Sequence, residues 1–315
     1  MSTLLPSALA SYGLEGAEAM FLQHNENLTY RVDNRYLLRI HTPAKGIYAP
    51  ATTGDRQIEL AFLRHLHSRG MPVQLPIPDR QGSMVTLLPD GSAATLLCWL
   101  PGQTLSGMEQ TEELCTSVGE MTARLHHASR GFAAPGIRAY DAAQCRHTGE
   151  ILAAMVQRHH LGDEHTAILR QACQAVGECF SSSADQPLVI HDDLSPSNIL
   201  LTASGLVPID FSLCGLGLPM TDVGMLLAGF SSALGRKSIV RGYAAAGGVV
   251  RHRELEAGFL HGLLCALVFH ADTWPQEPWF PQRLRRWEQE EILPFCEGRP
   301  FLDGDMKLIY LPERS

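Results

Sequence analysis

Between Pro187 and Leu201 the chain reads PLVIHDDLSPSNILL, and 12 residues beyond Asn198 comes Asp210, in VPIDFS. Carboxylates and an amide interrupt two apolar runs. Asp193 and Asn198 stand five residues apart in a short loop between β-like runs, and Asp210 ends the next run. Side chains at the ends of buried strands sit on stiff mounts, which suits groups that must hold a reacting molecule in place. Oxygens from Asn198 and Asp210, with Asp193 nearby, make a hard-oxygen environment. That suits Mg²⁺, which takes few protein ligands and completes its shell with phosphate and water. The remaining carboxylate, Asp193, is then placed to orient a hydroxyl and accept its proton during phosphoryl transfer.

Two textures of sequence position these groups. Up to about residue 100, short β-like runs dominate: NLTYRVD and RYLLRIH, joined at Asp33-Asn34, then MVTLL and ATLLCWL, joined at Pro89-Asp90-Gly91. In RYLLRIH the two-residue alternation puts Leu37, Arg39 and His41 on one face and Leu38 and Ile40 on the other. Between the pairs, GDRQIELAFLRHLHSRG repeats Ile58, Phe62 and Leu66 at helical spacing, and Gly70 stops it. LPGQ at 100–103 reads as a linker. Beyond it helical periodicity takes over, first with Leu114, Val118, Met121 and Leu125 behind an N-cap at Thr111 and acids at Glu112 and Glu113. Further helices are expected at about 141–157, 163–180, 220–233, 254–271 and 281–298. The expected strands of this half are 187–190, 198–201 and 206–210. The expectation is an α+β chain of two lobes, a small antiparallel sheet with one helix at 1–100 and a larger helical lobe at 101–315.

The bulk properties narrow the field. A chain of 315 residues suffices for one large domain or two lobes. Its net charge is −8, and the densest basic stretch is Arg283, Arg285 and Arg286 on one short helix, so no nucleic-acid footprint is expected. Eight cysteines are scattered without a CxxC pair, which points to reduced thiols rather than a disulfide framework or a zinc site. MSTLLPSALASYG lacks the basic flank and long apolar run of a signal peptide, and no window reaches a membrane span. The compartment expected is the cytoplasm, with no membrane partner.

His191-x-Asp193-x4-Asn198 followed by Ile209-Asp210-Phe211 resembles the catalytic core of the aminoglycoside phosphotransferase/choline kinase-like family, a small-molecule branch of the protein-kinase-like fold. The resemblance implies Asp193 as catalytic base and Asn198 and Asp210 as metal ligands, with ATP and Mg²⁺ as cofactors. HNENLTYRV resembles the loop that covers the nucleotide phosphates, with Asn25 and Asn27 in it. Arg39 stands where the fold usually keeps a lysine; it can still pair with phosphates, though arginine and lysine are not equivalent. Glu59 is its natural ion-pair partner. LLCWLPGQTL resembles the hinge that carries adenine, with backbone groups from Leu97 through Cys98 to Trp99. Asp222, in GLGLPMTDVGMLL, is implied as a structural aspartate. The likeness spans about residues 20–230. Two departures stand out: Asp-Phe-Ser in place of Asp-Phe-Gly, and Asp192 where many relatives have Gly and choline kinases Asn.

Blander readings compete at several positions. SPSN by itself is ordinary turn chemistry. His191 reads as a structural residue beneath the loop, and Asp192 as a solvated acid or one behind the site rather than a catalyst. His126-His127 and His159-His160 point about 100° apart on a helix and read as packed or solvated histidines, not metal ligands. Cys214 reads as a small packed hydrophobe. Asp272 and the acids of WEQEEI read as a solvated helix face. The function expected is transfer of the ATP γ-phosphate to a hydroxyl of a small molecule: an amino alcohol, homoserine-like or aminoglycoside-like acceptor. The rivals are a nucleotide-binding pseudokinase and a kinase of protein Ser/Thr hydroxyls. The sequence leaves monomer and homodimer both open.

Overall fold

The computed structural model describes residues 4–24, 27–41 and 52–302. The first lobe opens with a helix, α1 (Leu4–Tyr12), followed by strands β1 (Ala19–His24), β2 (Asn27–Val32) and β3 (Tyr36–His41). Helix α2 (Thr53–Ser68) follows, then β4 (Pro76–Ile77), β5 (Thr86–Leu87) and β6 (Ala93–Cys98). The sheet order is β1-β2-β3-β6-β4, with β5 also on β6, and every pairing is antiparallel. The two turns expected from sequence are present: Asp33 and Asn34 take φ of 49° and 53°, and Gly91 takes 84°.

The alternation along β3 decides what each sheet face meets. Leu38 and Ile40 join Ala8 and Leu9 of α1 in one buried cluster. Leu37 faces the other way, into the core shared with Leu60, Phe62 and Leu63 of α2. Each such side chain is worth roughly 1.5–3 kcal/mol when fully buried. Helix α1 adds to the one helix expected in this lobe. Its nine residues are apolar nearly all round and carry no helical stripe, so only the uncovered sheet face explains it. Helix α2 starts on a capping box, in which Thr52 and Asp55 satisfy each other's backbone N–H, and Gly70 (φ 80°) follows its C-cap, Arg69.

The second lobe begins with β7 (Gln103–Thr104) and three helices, α3 (Glu112–Ser129), α4 (Ala142–Arg158) and α5 (Asp163–Ser181). Thr111 caps α3 by accepting from the N–H of Leu114, as the sequence predicts. Then come β8 (Leu188–Ile190), β9 (Ile199–Thr202), β10 (Gly205–Pro208) and β11 (Gly215–Gly217). Strand β9 lies between β10 and β7, while β8 pairs with β11. The two-residue β7 and the glycine-rich β11 escape sequence reading because neither is long enough to show a period.

Helices α6 (Pro219–Ala228), α7 (Ala233–Ala245), α8 (His252–Phe269), α9 (Phe280–Trp287) and α10 (Leu293–Cys296) complete the lobe. The helix expected at 220–233 stops instead at Ala228, with Gly229 as C-cap, and α7 is a helix the sequence reading missed. The helix expected at 281–298 is present as a continuous helical run over 280–296 that widens into a π turn at Glu288–Ile292. There the solvated-face reading fails. Glu288 and Glu291 are buried, and His165 Nδ1 lies 2.7 Å from Glu288. Asp272 is exposed as expected, paired with Arg158. Helices α6 and α8 touch backbone to backbone: a Cβ on Gly224 would lie 2.3 Å from the Phe259 nitrogen, and one on Gly258 2.3 Å from the Met220 oxygen. Among the described residues no helix is long and apolar enough to cross a membrane.

Candidate active site

The loop that carries Asp193 and Asn198 hangs from β8, whose last residue, Ile190, is fully buried. His191 lies beneath the loop, as its structural reading requires. Its Nε2 is 2.9 Å from the Ile209 carbonyl, and its Nδ1 accepts the Asp193 N–H at 3.2 Å. One ring therefore ties Asp193 to the strand that leads to Asp210. After the loop, Pro196–Asn198 form a 3-10 turn. Asn198 Nδ2 donates to the Asp193 carbonyl and to Asp193 Oδ2, both at 2.8 Å, and the Asn198 carbonyl accepts the Ile209 N–H at 2.9 Å. Asp193 and Asn198 are thus locked to each other and to residue 209.

Asp222 anchors the loop from below, which is the structural role expected of it. It is fully buried in the first turn of α6 and accepts the N–H groups of His191 and Asp192, each at 2.8 Å. His126 Nε2 lies 3.1 Å away, and its other nitrogen meets the Tyr243 hydroxyl at 2.9 Å. Of the His126-His127 pair, then, the first is a packed histidine with a defined job. Burial alone would raise the Asp222 carboxyl, but the His126 bond and charge, with His191 behind them, hold it below the usual carboxylate range. Asp222→Ala strands three donors and is expected to destabilise the protein by about 3–5 kcal/mol in denaturant titrations. Because the folded pKa is depressed, this stabilisation is complete above the ordinary carboxylate pKa. It fades only as pH falls through the lower folded value. A variant within about 1 kcal/mol of the parent at neutral pH would refute the anchor role.

Asp210 stands across the cleft from the first lobe with φ 64°, a left-handed setting rare outside Gly, Asn and Asp. Phe211 fixes it there, buried against Phe62 of α2 (5.8 Å between ring centroids) and His191 (4.4 Å). Arg39 of β3 bridges the lobes: Nη1 lies 3.0 Å from Glu59 Oε1 and Nη2 3.4 Å from Asp210 Oδ1. Arg39 and Glu59 are buried, whereas the Asp210 side chain keeps 39% of its surface open. Its surroundings by themselves would raise the Asp210 carboxyl; Arg39, then the Ser212 hydroxyl, outweigh them and hold it below the usual range. Asp210 thus keeps a part-open, ionised carboxylate, and Asn198, its nitrogen spent on Asp193, keeps an amide oxygen as a donor. That donor set fits Mg²⁺.

On the nucleotide side, Asn27 begins β2, and its Oδ1 lies 2.9 Å from His41 Nδ1; His41 Nε2 lies 2.9 Å from Thr95 Oγ1. His41 ties the strand leaving the expected phosphate loop to β3 and β6. Burial, with Arg56 and Arg39 nearby, pushes its imidazole down to about 2, so it stays neutral. Asn25 lies outside the described residues. Leu97 is buried and lines the crevice together with Arg39, Glu59 and Asp210. The Cys98 N–H donates to the Leu75 carbonyl and the Trp99 N–H to the Arg35 carbonyl, both at 2.8 Å. The hinge N–H groups at 98 and 99 are therefore taken up within the protein. Among the described residues the Cys98 carbonyl accepts one side-chain bond, from Gln74 Nε2 at 3.3 Å, which leaves a second lone pair.

Asp192 is not a solvated acid. It is 4% exposed, takes φ 58°, and its Oδ1 lies 3.0 Å from His261 Nε2 on α8. Burial pushes its carboxyl up against the pull of His261. Burial opposes charge on His261 as well, yet Cys265 and Asp192 against the ring raise its pKa well above the usual value, so the pair retains a proton. Sequence reasoning missed His261, Tyr140 and His126 as partners of the loop. The one available signal was a histidine inside the apolar run FLHGLLCAL.

A small antiparallel sheet with α2 beneath it, a helical lobe, a locked Asp-Asn pair in the loop after β8, and an Asp that meets an Arg-Glu ion pair across the cleft define a protein-kinase-like fold. The sequence profile of the phosphotransferase enzyme family (APH) matches residues 20–259, and the chain belongs to that family. The amicoumacin kinase of Bacillus subtilis (strain 168) is 25% identical over 235 residues, covering 71% of this chain and 66% of its own length. The homoserine kinase of Gluconobacter oxydans (strain 621H) is 31% identical over 164 residues, 49% of this chain and 48% of its own. The matched part thus spans less than two thirds of either curated relative. Among solved structures, the microcompartment-associated aminopropanol kinase superposes with a TM-score of 0.73 at 21% identity, covering 94% of this chain and 95% of that one. An amicoumacin kinase solved with AMP-PNP and Ca²⁺ has a TM-score of 0.68 at 16% identity, covering 91% and 90%. At such identities the superpositions establish the fold.

Proposed function

We propose that this protein is an ATP-dependent kinase that phosphorylates a hydroxyl of a small molecule, with amino alcohols as the first acceptor class. The observation that carries the reading is the interlobe crevice lined by Arg39, Glu59 and Asp210, with the Asp193–Asn198 pair tied to the residue before Asp210 through the Asn198 carbonyl and the Ile209 N–H. The lobes divide at about residue 100, and the nucleotide lies between them. Asn25 and Asn27 cover its phosphates. Leu97, Cys98 and Trp99 border its base, the free lone pair of the Cys98 carbonyl being suited to an exocyclic amine. Arg39, held by Glu59, draws the phosphates toward Asp210. Asn198 and Asp210 would hold Mg²⁺, which would supply charge neutralisation on the transferring group. Asp193, held rigidly through Asn198 and His191, aligns the acceptor hydroxyl and takes its proton.

The acceptor class rests on the company the chain keeps. Homoserine and aminopropanol, which two of its relatives act on, each carry an amine near a hydroxyl. A pseudokinase would have no chemical need for all three of Asp193, Asn198 and Asp210, so turnover is the stronger reading. The test is ADP release and thermal shift with MgATP alone, then with amino alcohols, homoserine, aminoglycosides, sugars and a generic protein acceptor. ADP release raised by one amino alcohol, and lost when Mg²⁺ is chelated, is the expected result. Binding of ATP with no metal requirement and no turnover would favour the pseudokinase.

A further inference from the structure

We propose that Asp192 and His261 form a positioning pair for the catalytic loop, through which helix α8 sets the direction of the Asp193 side chain. The inference rests on the kinase reading above, which makes Asp193 the acting group.

The geometry demands a partner for Asp192. A left-handed residue with a Cβ costs roughly 1–2 kcal/mol. An uncompensated buried carboxylate costs several kcal/mol more. Glycine would avoid both penalties at φ 58°. Besides the Tyr140 hydroxyl, which also bonds its carboxylate, two groups hold the costly residue in place. Asp222 takes its N–H at 2.8 Å, and His261 Nε2 meets its Oδ1 at 3.0 Å. Asp193 is the next residue, so a residue 192 pinned at both its N–H and its side chain restricts where the following carboxylate emerges. Displacement of a reacting group by about 1 Å can cost ~10²-fold in rate.

His261 is itself a rigid mount. Its ring sits edge-on to Tyr140 (5.7 Å) and tilted on Phe180 of α5 (5.9 Å). Its helix cannot slide along α6, because Gly224 and Gly258 bring the two backbones into contact. The same α6 carries Asp222. The loop is therefore gripped at Asp192 from two helices that are locked to each other. Plain packing would need neither the carboxylate nor the imidazole: a leucine facing a phenylalanine would fill the space without the penalty.

The full-length protein with His261→Phe keeps the ring contacts and loses the nitrogen; His261→Gln keeps a donor. Each is made alone and with Asp192→Gly, which removes the carboxylate that needs the partner. Expected is a fall in kcat of about 10- to 100-fold for His261→Phe, with KM for MgATP changed less than about 3-fold, and recovery of most of the loss in His261→Gln. In the Asp192→Gly background the same His261→Phe change should cost less than about 3-fold further. Equal losses in both backgrounds, a loss confined to KM, or no loss overturns the pair. Should His261→Phe fail to fold, folding restored by Asp192→Gly supports the pair, and failure in both backgrounds assigns His261 to packing. Amide hydrogen exchange over residues 190–194 reads the same cycle without any acceptor. Exchange faster in His261→Phe, and not further quickened by it in the Asp192→Gly background, is the expected result; unchanged exchange overturns the proposal. A parent protein that turns over nothing would count against the kinase reading, while the exchange cycle still decides the pair.

Discussion

Asp210→Asn is expected to lower MgATP-dependent turnover by at least about 10³-fold while leaving the fold intact. The size follows from where Asp210 sits. It is the one carboxylate at the end of its strand, half open to the cleft and 3.4 Å from Arg39, so its charge is what a metal-bound phosphate would meet. Asparagine keeps the shape but gives up that charge. The backbone does not suffer, because Asn tolerates the left-handed region at least as well as Asp. Arg39 keeps Glu59 as its partner at 3.0 Å. Melting temperature should therefore barely move. The measurement is a coupled ADP-release assay over a range of Mg²⁺ beside thermal denaturation. Retention of a tenth of the activity, or activity rescued simply by more Mg²⁺, would remove Asp210 from the centre of the site.

Asp193→Asn is expected to cost about 10²- to 10⁴-fold in kcat, the usual worth of a positioned general base. The substituted side chain still offers an oxygen to Asn198 Nδ2, which now donates to both the carbonyl and the carboxylate of Asp193 at 2.8 Å. The N–H of residue 193 still reaches His191 Nδ1. The loop therefore holds, and what disappears is the ability to take a proton from the acceptor hydroxyl. KM for MgATP should stay within about 3-fold, because the nucleotide side is untouched. Full turnover in this variant would show that the base lies elsewhere. Together the two substitutions separate charge neutralisation at the phosphates from proton removal at the acceptor.

The chemistry of this site was legible because it is written locally. Asp193, Asn198 and Asp210 lie within 18 residues of one another, between apolar runs that can only be buried strands. Strand alternation likewise put Arg39 on one face with Leu37 and His41, and the family resemblance offered Glu59 of the next helix as its partner. The partners that hold the site came from far along the chain. Tyr243 lies 117 residues from His126, and His261 lies 69 from Asp192. No spacing rule reaches that distance, and a histidine in an apolar helix reads the same whether it packs idly or meets a carboxylate. Residue 192 was left between two readings for this reason: an acid in a polar loop is normally solvated, and only its burial and its contact with His261 of α8 decide for the acid behind the site.

The sequence by itself determined the β-rich and helical halves and the family, and it singled out the candidate site residues, since each is carried by short-range pattern: period two, period 3.6, and a motif in one loop. The tertiary structure decided which polar groups are spent and which remain. It committed the N–H groups of Cys98 and Trp99 to neighbouring carbonyls, turned Asp192 inward onto His261, and gathered two backbone amides and His126 onto Asp222. Those outcomes depend on how helices approach one another, as at Gly224 and Gly258. A buried polar group must find its partner in space wherever the chain brings it, and that search leaves no trace in local order.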